Sequence, residues 1–184
     1  MQWIVSEDLN IEHLFDIFTS IVQNTVDIWG PCVHFLQHLY WHKPRQTVLR
    51  PRIEGLPDSH LYKPKCLFTL SMLFQRTGNH GERKKLLVHT LELQKQRGDD
   101  DFQIAQTLIW LSDVNRLLEL YEEGIQQARE ALEIYERKGY TIWQGDSLDK
   151  LTWLLLGDKQ LDEAENAASQ IGRASCRERV LAIV

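Results

Sequence analysis

The chain has 184 residues, enough for one domain of ordinary size, with 43% apolar and 26% charged residues. Its net charge of −5 argues against a nucleic-acid binder and against docking on anionic lipid, both of which call for a basic surface. Its three cysteines, Cys32, Cys66 and Cys176, are odd in number, widely spaced and without a CxxC, which speaks against a disulfide framework or zinc knuckle and for a reducing compartment.

The first residues, Met1-Gln2-Trp3-Ile4-Val5, turn acidic at Glu7 and Asp8, so they do not read as a secretory signal. No apolar run approaches the roughly 20 residues that a membrane span needs. Cytoplasm is the expected location by elimination, with no membrane contact.

Ile11, Leu14, Phe15, Phe18 and Val22 recur at helical spacing, and Asn10 can cap that helix. Gly30-Pro31 breaks the chain, and Pro31 suits the first turn of a second helix. Phe35, Leu36, Leu39 and Tyr40 form its apolar stripe. Cys32, His34, His38 and His42 crowd this helix, the histidines sharing a face at i, i+4, i+8. Two imidazoles one turn apart can bind zinc, but a site needs further ligands and supporting hydrogen bonds. No HExxH surrounds them, so interface packing is the expected role and no metal is assigned.

Residues 43–63 carry Pro44, Pro51, Gly55 and Pro57 and read as an irregular connector. Its length favours a short helical or extended piece around Val48–Ile53. All five prolines lie before residue 65, so the rest of the chain is free to be nearly continuous helix.

That second part repeats at about 40 residues. Aligned on His80, Tyr121 and Leu161, it carries Leu70, Leu111 and Leu151 ten residues upstream, and Leu67, Leu108 and Leu148 three further back. A small residue follows each middle leucine: Ser71, Ser112 and Thr152. Downstream come Arg83, Gly124 and Ala164, then Leu87, Ala128 and Ala168. Gly98 and Gly139 stand where helix C-caps belong. Each repeat therefore reads as two antiparallel helices: A helices over about 65–77, 103–117 and 142–156, and B helices over about 81–97, 121–138 and 160–170. Asp99-Asp100-Asp101 lacks calcium-loop spacing and reads as a solvated loop with one aspartate capping the next helix. No Ser-His-Asp or Cys-His order stands out, and no cofactor is implied.

The pattern of leucine, small residue, aromatic, small residue and alanine resembles the tetratricopeptide repeat. The middle copy is best, with Leu108, Leu111-Ser112, Tyr121, Gly124, Ala128 and Ala131; the first is degenerate at His80, Arg83 and Leu87. The resemblance implies an all-α, right-handed solenoid of antiparallel helix pairs, preceded by short N-terminal helices. The organisation becomes 1–63 for N-terminal helices and connector, repeats over about 64–100, 101–140 and 141–170, and a tail over 171–184. His38-Leu39-Tyr40-Trp41-His42-Lys43-Pro44-Arg45, Ile53-Glu54-Gly55-Leu56-Pro57-Asp58-Ser59-His60 and Glu123-Gly124-Ile125-Gln126-Gln127-Ala128 are similar to fungal proteins in which a STAND-type NTPase domain precedes such repeats. On that likeness the chain is a fragment. No G-x-x-x-x-G-K-[ST] occurs in it, so nucleotide binding is not assigned to it. The tail, Ile171 through Val180, has Gly172 within the last helix and no apolar stripe in register. It resembles the conceptual translation of a sequencing-library adapter and is expected to be non-native.

The family resemblance implies a protein-interaction scaffold without catalysis. Its alternative is the sensor or regulatory arm of a larger NTPase. The partner would be a protein or peptide, or the parent's NTPase domain. Carried over by position, the concave groove holds Lys65, Phe68 and Met72, then Gln106, Ile109, Asp113 and Arg116, then Asp149 and Trp153. The lysines and asparagines of a carboxylate clamp are missing, so a mixed or apolar surface is expected, with Phe68 and Trp153 as anchors. The same residues packing on the next repeat is an equal reading. Apolar surface at Leu155, Leu161 and Ala168 would drive self-association.

Overall fold

A computed structural model describes residues 50, 51 and 53–181. Six long helices follow one another: α1 Lys63–Thr77, α2 His80–Arg97, α3 Asp101–Leu117, α4 Tyr121–Lys138, α5 Thr141–Gly157 and α6 Leu161–Leu181. No strand occurs among the described residues. Consecutive helices pack in pairs, α1 on α2, α3 on α4 and α5 on α6, and each pair stacks on the next. The fold is all-α. The N-terminal helices expected over 11–22 and 31–42, with Cys32 and the three histidines, lie outside the described residues.

Local chemistry sets the helix ends. Pro64 occupies the first turn of α1, where its missing N–H costs nothing, so the helix begins ahead of the proline rather than after it. Asn79 caps α2, its side chain accepting from Glu82 N at 3.3 Å, and Asp100 caps α3 by accepting from Phe102 N at 3.4 Å. Gly98 and Gly139 end α2 and α4 in the left-handed conformation, at φ 64° and 74°. The last helix does not stop near residue 170; it runs through Gly172 to Leu181. One interior glycine costs only about 1 kcal/mol against alanine, and its neighbours Ala174, Arg173 and Arg177 favour helix.

The connector is half ordered by helix and half by α1. Residues 50, 51, 53 and 54 are helical, and Ile53 is buried. Lys63, itself buried, turns its ammonium back to donate to Glu54 O at 3.3 Å, Leu56 O at 2.5 Å and Asp58 Oδ1 at 2.7 Å. Arg97, in the last turn of α2, donates to Leu61 O at 3.0 Å and His60 O at 2.8 Å. Forty residues on, Arg137 does the same work at the end of α4, donating to Asp101 Oδ2 at 3.2 Å. The end of α2 is thus tied to the segment that leads into α1, and the end of α4 to the first residue of α3.

The core follows the repeat. Leu67, Leu70, Leu108, Leu111, Leu148 and Leu151 are all buried, as are Ser71 and Ser112 beside them. The small hydroxyls carry no penalty because they donate to their own helix: Ser71 Oγ to Phe68 O at 2.6 Å and Ser112 Oγ to Ile109 O at 2.8 Å. Gly124 sits where a Cβ would press on Leu154 Cδ2 and on the Ser112 carbonyl, so α4 approaches α3 and α5 closely. The third repeat departs from the alignment. Ala164 and Ala167 are buried and Ala168 is exposed, because among the described residues no helix covers the side of α6 that α2 and α4 turn to their successors. Leu155, expected at an exposed end, is buried in this cluster, whereas Leu161 is exposed.

Candidate protein-binding face

Residues three and four apart on a helix share a face. Lys65, Phe68 and Met72 on α1, Gln106, Ile109, Asp113 and Arg116 on α3, and Asp149 and Trp153 on α5 thus form one stripe per A helix. Their environments differ. Lys65, Met72, Gln106 and Arg116 are half-buried. Phe68 packs against the cluster of Leu87, Leu111 and Val114, and Ile109 is buried with Ala105, Leu108 and Tyr135. Ile109 is therefore a core residue rather than part of an open groove, because the second and third repeats close over it. Trp153 is 56% exposed.

Asp113 is committed within the fold. Its carboxylate accepts from Arg83 Nη1 at 3.4 Å and from Arg116 Nη2 at 3.2 Å. Arg83 is fully buried, in the repeat position that holds Gly124 and Ala164 in the later pairs. Its guanidinium lies 5.5 Å from the centre of the Trp110 ring. Nε and Nη2 of Arg83 have no hydrogen-bond partner among the described residues. Burial lowers the Arg83 pKa, and Asp113 opposes that shift.

On α5 the stripe is open along its length. Ile142 and Leu156 are exposed at its ends, with Asp146, Asp149 and Trp153 between them. Asp149 lies 3.7 Å from Lys150 Nζ. Desolvation pushes the Asp146 carboxyl up; Lys150 opposes this, and the charges of Asp149 and Asp113 add to it. Ile142 and Asp146 escape a carry-over by family position, but the spacing 142, 146, 149, 153, 156 would have found them.

A cleft of about 240 Å³ lies between the starts of α1 and α3, lined by Leu61, Tyr62, Pro64, Lys65, Asp99 and Gln103. It brings Lys65 to an opening but gathers no nucleophile with a base. Cys66 is buried, which pushes its thiol up to about 12 and keeps it from being a thiolate nucleophile. No cluster of metal-ligating side chains occurs among the described residues. Among them, too, no helix is long and apolar enough to cross a membrane. Beside α5, Phe102, Tyr135, Tyr140 and Trp143 pack edge-to-face and stacked, with Phe102 and Trp143 centroids 5.2 Å apart, and fix the start of that helix.

No protein-family model matches the chain, and no curated protein matches it.

Proposed function

We propose that the chain is a protein–protein interaction scaffold built from tetratricopeptide-like helix pairs, binding a protein or peptide on its A-helix face and carrying no catalysis of its own. The observation that supports this most is the exposure of Trp153 on the same stripe as Asp149. A large aromatic held open on a rigid helix beside a carboxylate has the make-up of an interface anchor. The cytoplasm is the compartment we assign, on the ground of the odd, widely spaced cysteines and the buried free thiol of Cys66.

The test is capture by the immobilised chain, followed by mass spectrometry, beside the variant Met72→Lys/Trp153→Ala. A scaffold retains a defined set of proteins, and the variant loses them while keeping its helical circular dichroism. Equal capture by both forms, or turnover of a substrate abolished by one side-chain substitution, would overturn the reading.

A further inference from the structure

The exposed stripe of α5 runs Ile142, Asp146, Asp149, Trp153, Leu156, at i, i+4, i+7, i+11 and i+14. These positions stay within one narrow face of the helix, over roughly 21 Å at 1.5 Å per residue. Ile142 is 66% exposed, Trp153 56% and Leu156 42%. Asp149 has 47% of its side chain exposed and Lys150 Nζ at 3.7 Å, and the Asp146 carboxylate makes no hydrogen bond or ion pair among the described residues. The face is thus apolar at both ends and acidic in its middle.

The chemistry of the first two repeats bears on what covers it. At the positions matching Asp149, Phe68 and Ile109 pack into apolar clusters formed with the next pair. An apolar helix laid over α5 in the same way would bury two carboxylates with one lysine beside them, Lys150, whose ammonium is 3.7 Å from Asp149, and so would leave negative charge uncompensated. A second copy docked by its own stripe about a two-fold axis would set Asp149 against Asp149, and like charges facing each other are repelled. What satisfies every position is a segment with apolar residues at its ends and cations in its middle.

We infer that the α5 stripe docks a basic amphipathic helix of a partner protein, its lysines or arginines meeting Asp146 and Asp149 and its apolar ends meeting Ile142 and the Trp153–Leu156 pair. This deepens the scaffold reading and rests on it. A helix laid beside a helix presents groups at the same three-and-four spacing, which is how amphipathic partners are read. Asp113 on the neighbouring A helix is held by two guanidinium groups, Arg83 and Arg116, whereas Asp146 and Asp149 have the single neighbouring Lys150 between them, so selection for cations falls on Asp146 and Asp149.

The test uses the full chain and three fluorescein-labelled synthetic helical peptides of one leucine register, with lysine, glutamine or glutamate at the remaining positions. Fluorescence anisotropy at physiological salt should show the lysine peptide binding about ten-fold or more tighter than the glutamine peptide, and the glutamate peptide not binding. Asp146→Lys/Asp149→Lys should weaken the lysine peptide about ten-fold, and Trp153→Ala should do so to a similar degree. Glu122→Lys/Glu133→Lys, exposed on α4 and away from the stripe, should change it less than about two-fold. Equal loss in that control would overturn the proposal as unselective charge attraction. A glutamine peptide binding as tightly as the lysine peptide, and lost on Trp153→Ala, would overturn the basic partner while leaving the A-helix binding face intact. Self-association abolished by Trp153→Ala would overturn it in favour of a second copy. Binding by no peptide would also overturn it, and the capture experiment then judges the scaffold reading separately.

Discussion

Arg83 on α2 donates through Nη1 to Asp113 Oδ2 on α3 at 3.4 Å, a buried ion pair that joins the first helix pair to the second beneath the more exposed pairs Lys84–Glu123 and Lys95–Glu130. Arg83 is fully buried and Asp113 nearly so. Removing one partner of a buried pair leaves an uncompensated charge, which costs far more than the pair contributes. Asp113→Ala should therefore lower stability by about 3 kcal/mol in a urea melt. Arg83→Met/Asp113→Leu removes both charges and should recover most of that loss. A double variant as unstable as the single one would show that the damage lies in packing.

Gly157 ends α5 beneath the ring of Tyr121, and a Cβ there would collide with Cε1. Tyr121 opens α4, so this contact joins the second and third pairs. Gly157→Ala should destabilise by about 1–3 kcal/mol through overpacking. Tyr121→Ala should absorb much of that, giving a coupling energy of about 1 kcal/mol in a double-mutant cycle. Additive effects would break the claimed contact.

Ala128 is fully buried in the cluster of Leu148, Leu151, Leu154 and Ala164. Ala128→Phe inserts a ring where the second pair meets the third and should cost about 1–3 kcal/mol. A melt indistinguishable from the parent chain would mean that α4 and α5 can part without loss.

The turns between A and B helices share a left-handed residue. The first uses Gly78 at φ 70°, whereas the second and third use Glu119 at 59° and Lys159 at 64°. A side chain in that region costs about 1–2 kcal/mol. Lys159→Gly should raise stability by about 0.5–1 kcal/mol, since the gain in the turn is partly offset by the freer unfolded chain. Gly78→Ala should lower it by a similar amount, and thermal melts check both signs.

The repeat was readable because its constraint is periodic. Leucines at three-residue spacing and the glycine caps must recur wherever helix pairs stack, and Leu67, Leu108 and Leu148 occupy equivalent buried sites. Arg83 was visible only as a flaw in the pattern. Its partner Asp113 is thirty residues away on another helix, and no local rule pairs them. Groove positions carried over by the resemblance mix core with surface, since Ile109 and Asp149 hold like register but, among the described residues, only Ile109 has a further pair stacked beside its helix. The sequence pattern ends near residue 170 while α6 runs to Leu181, because a glycine weakens a helix without ending it.

Asp146 carries the last prediction. Desolvation raises its carboxyl, Lys150 opposes that, and Asp149 and Asp113 add to it. A carboxyl whose folded pKa exceeds its unfolded one is favoured when protonated, so its ionisation works against folding. Stability from this site is therefore present at acid pH and is lost as pH rises through the unfolded carboxylate range, near 4, to the higher folded value. Asp146→Asn should raise the melting temperature at pH 7 by a degree or two, as expected for an exposed site. The gain should shrink towards zero near pH 3, where the parent carboxyl is already protonated. Equal gains at both pH values would mean that the charge is not the cause. The same cost of ionisation would be relieved by a cation laid against α5, so a basic peptide should reduce the difference between parent and variant at pH 7.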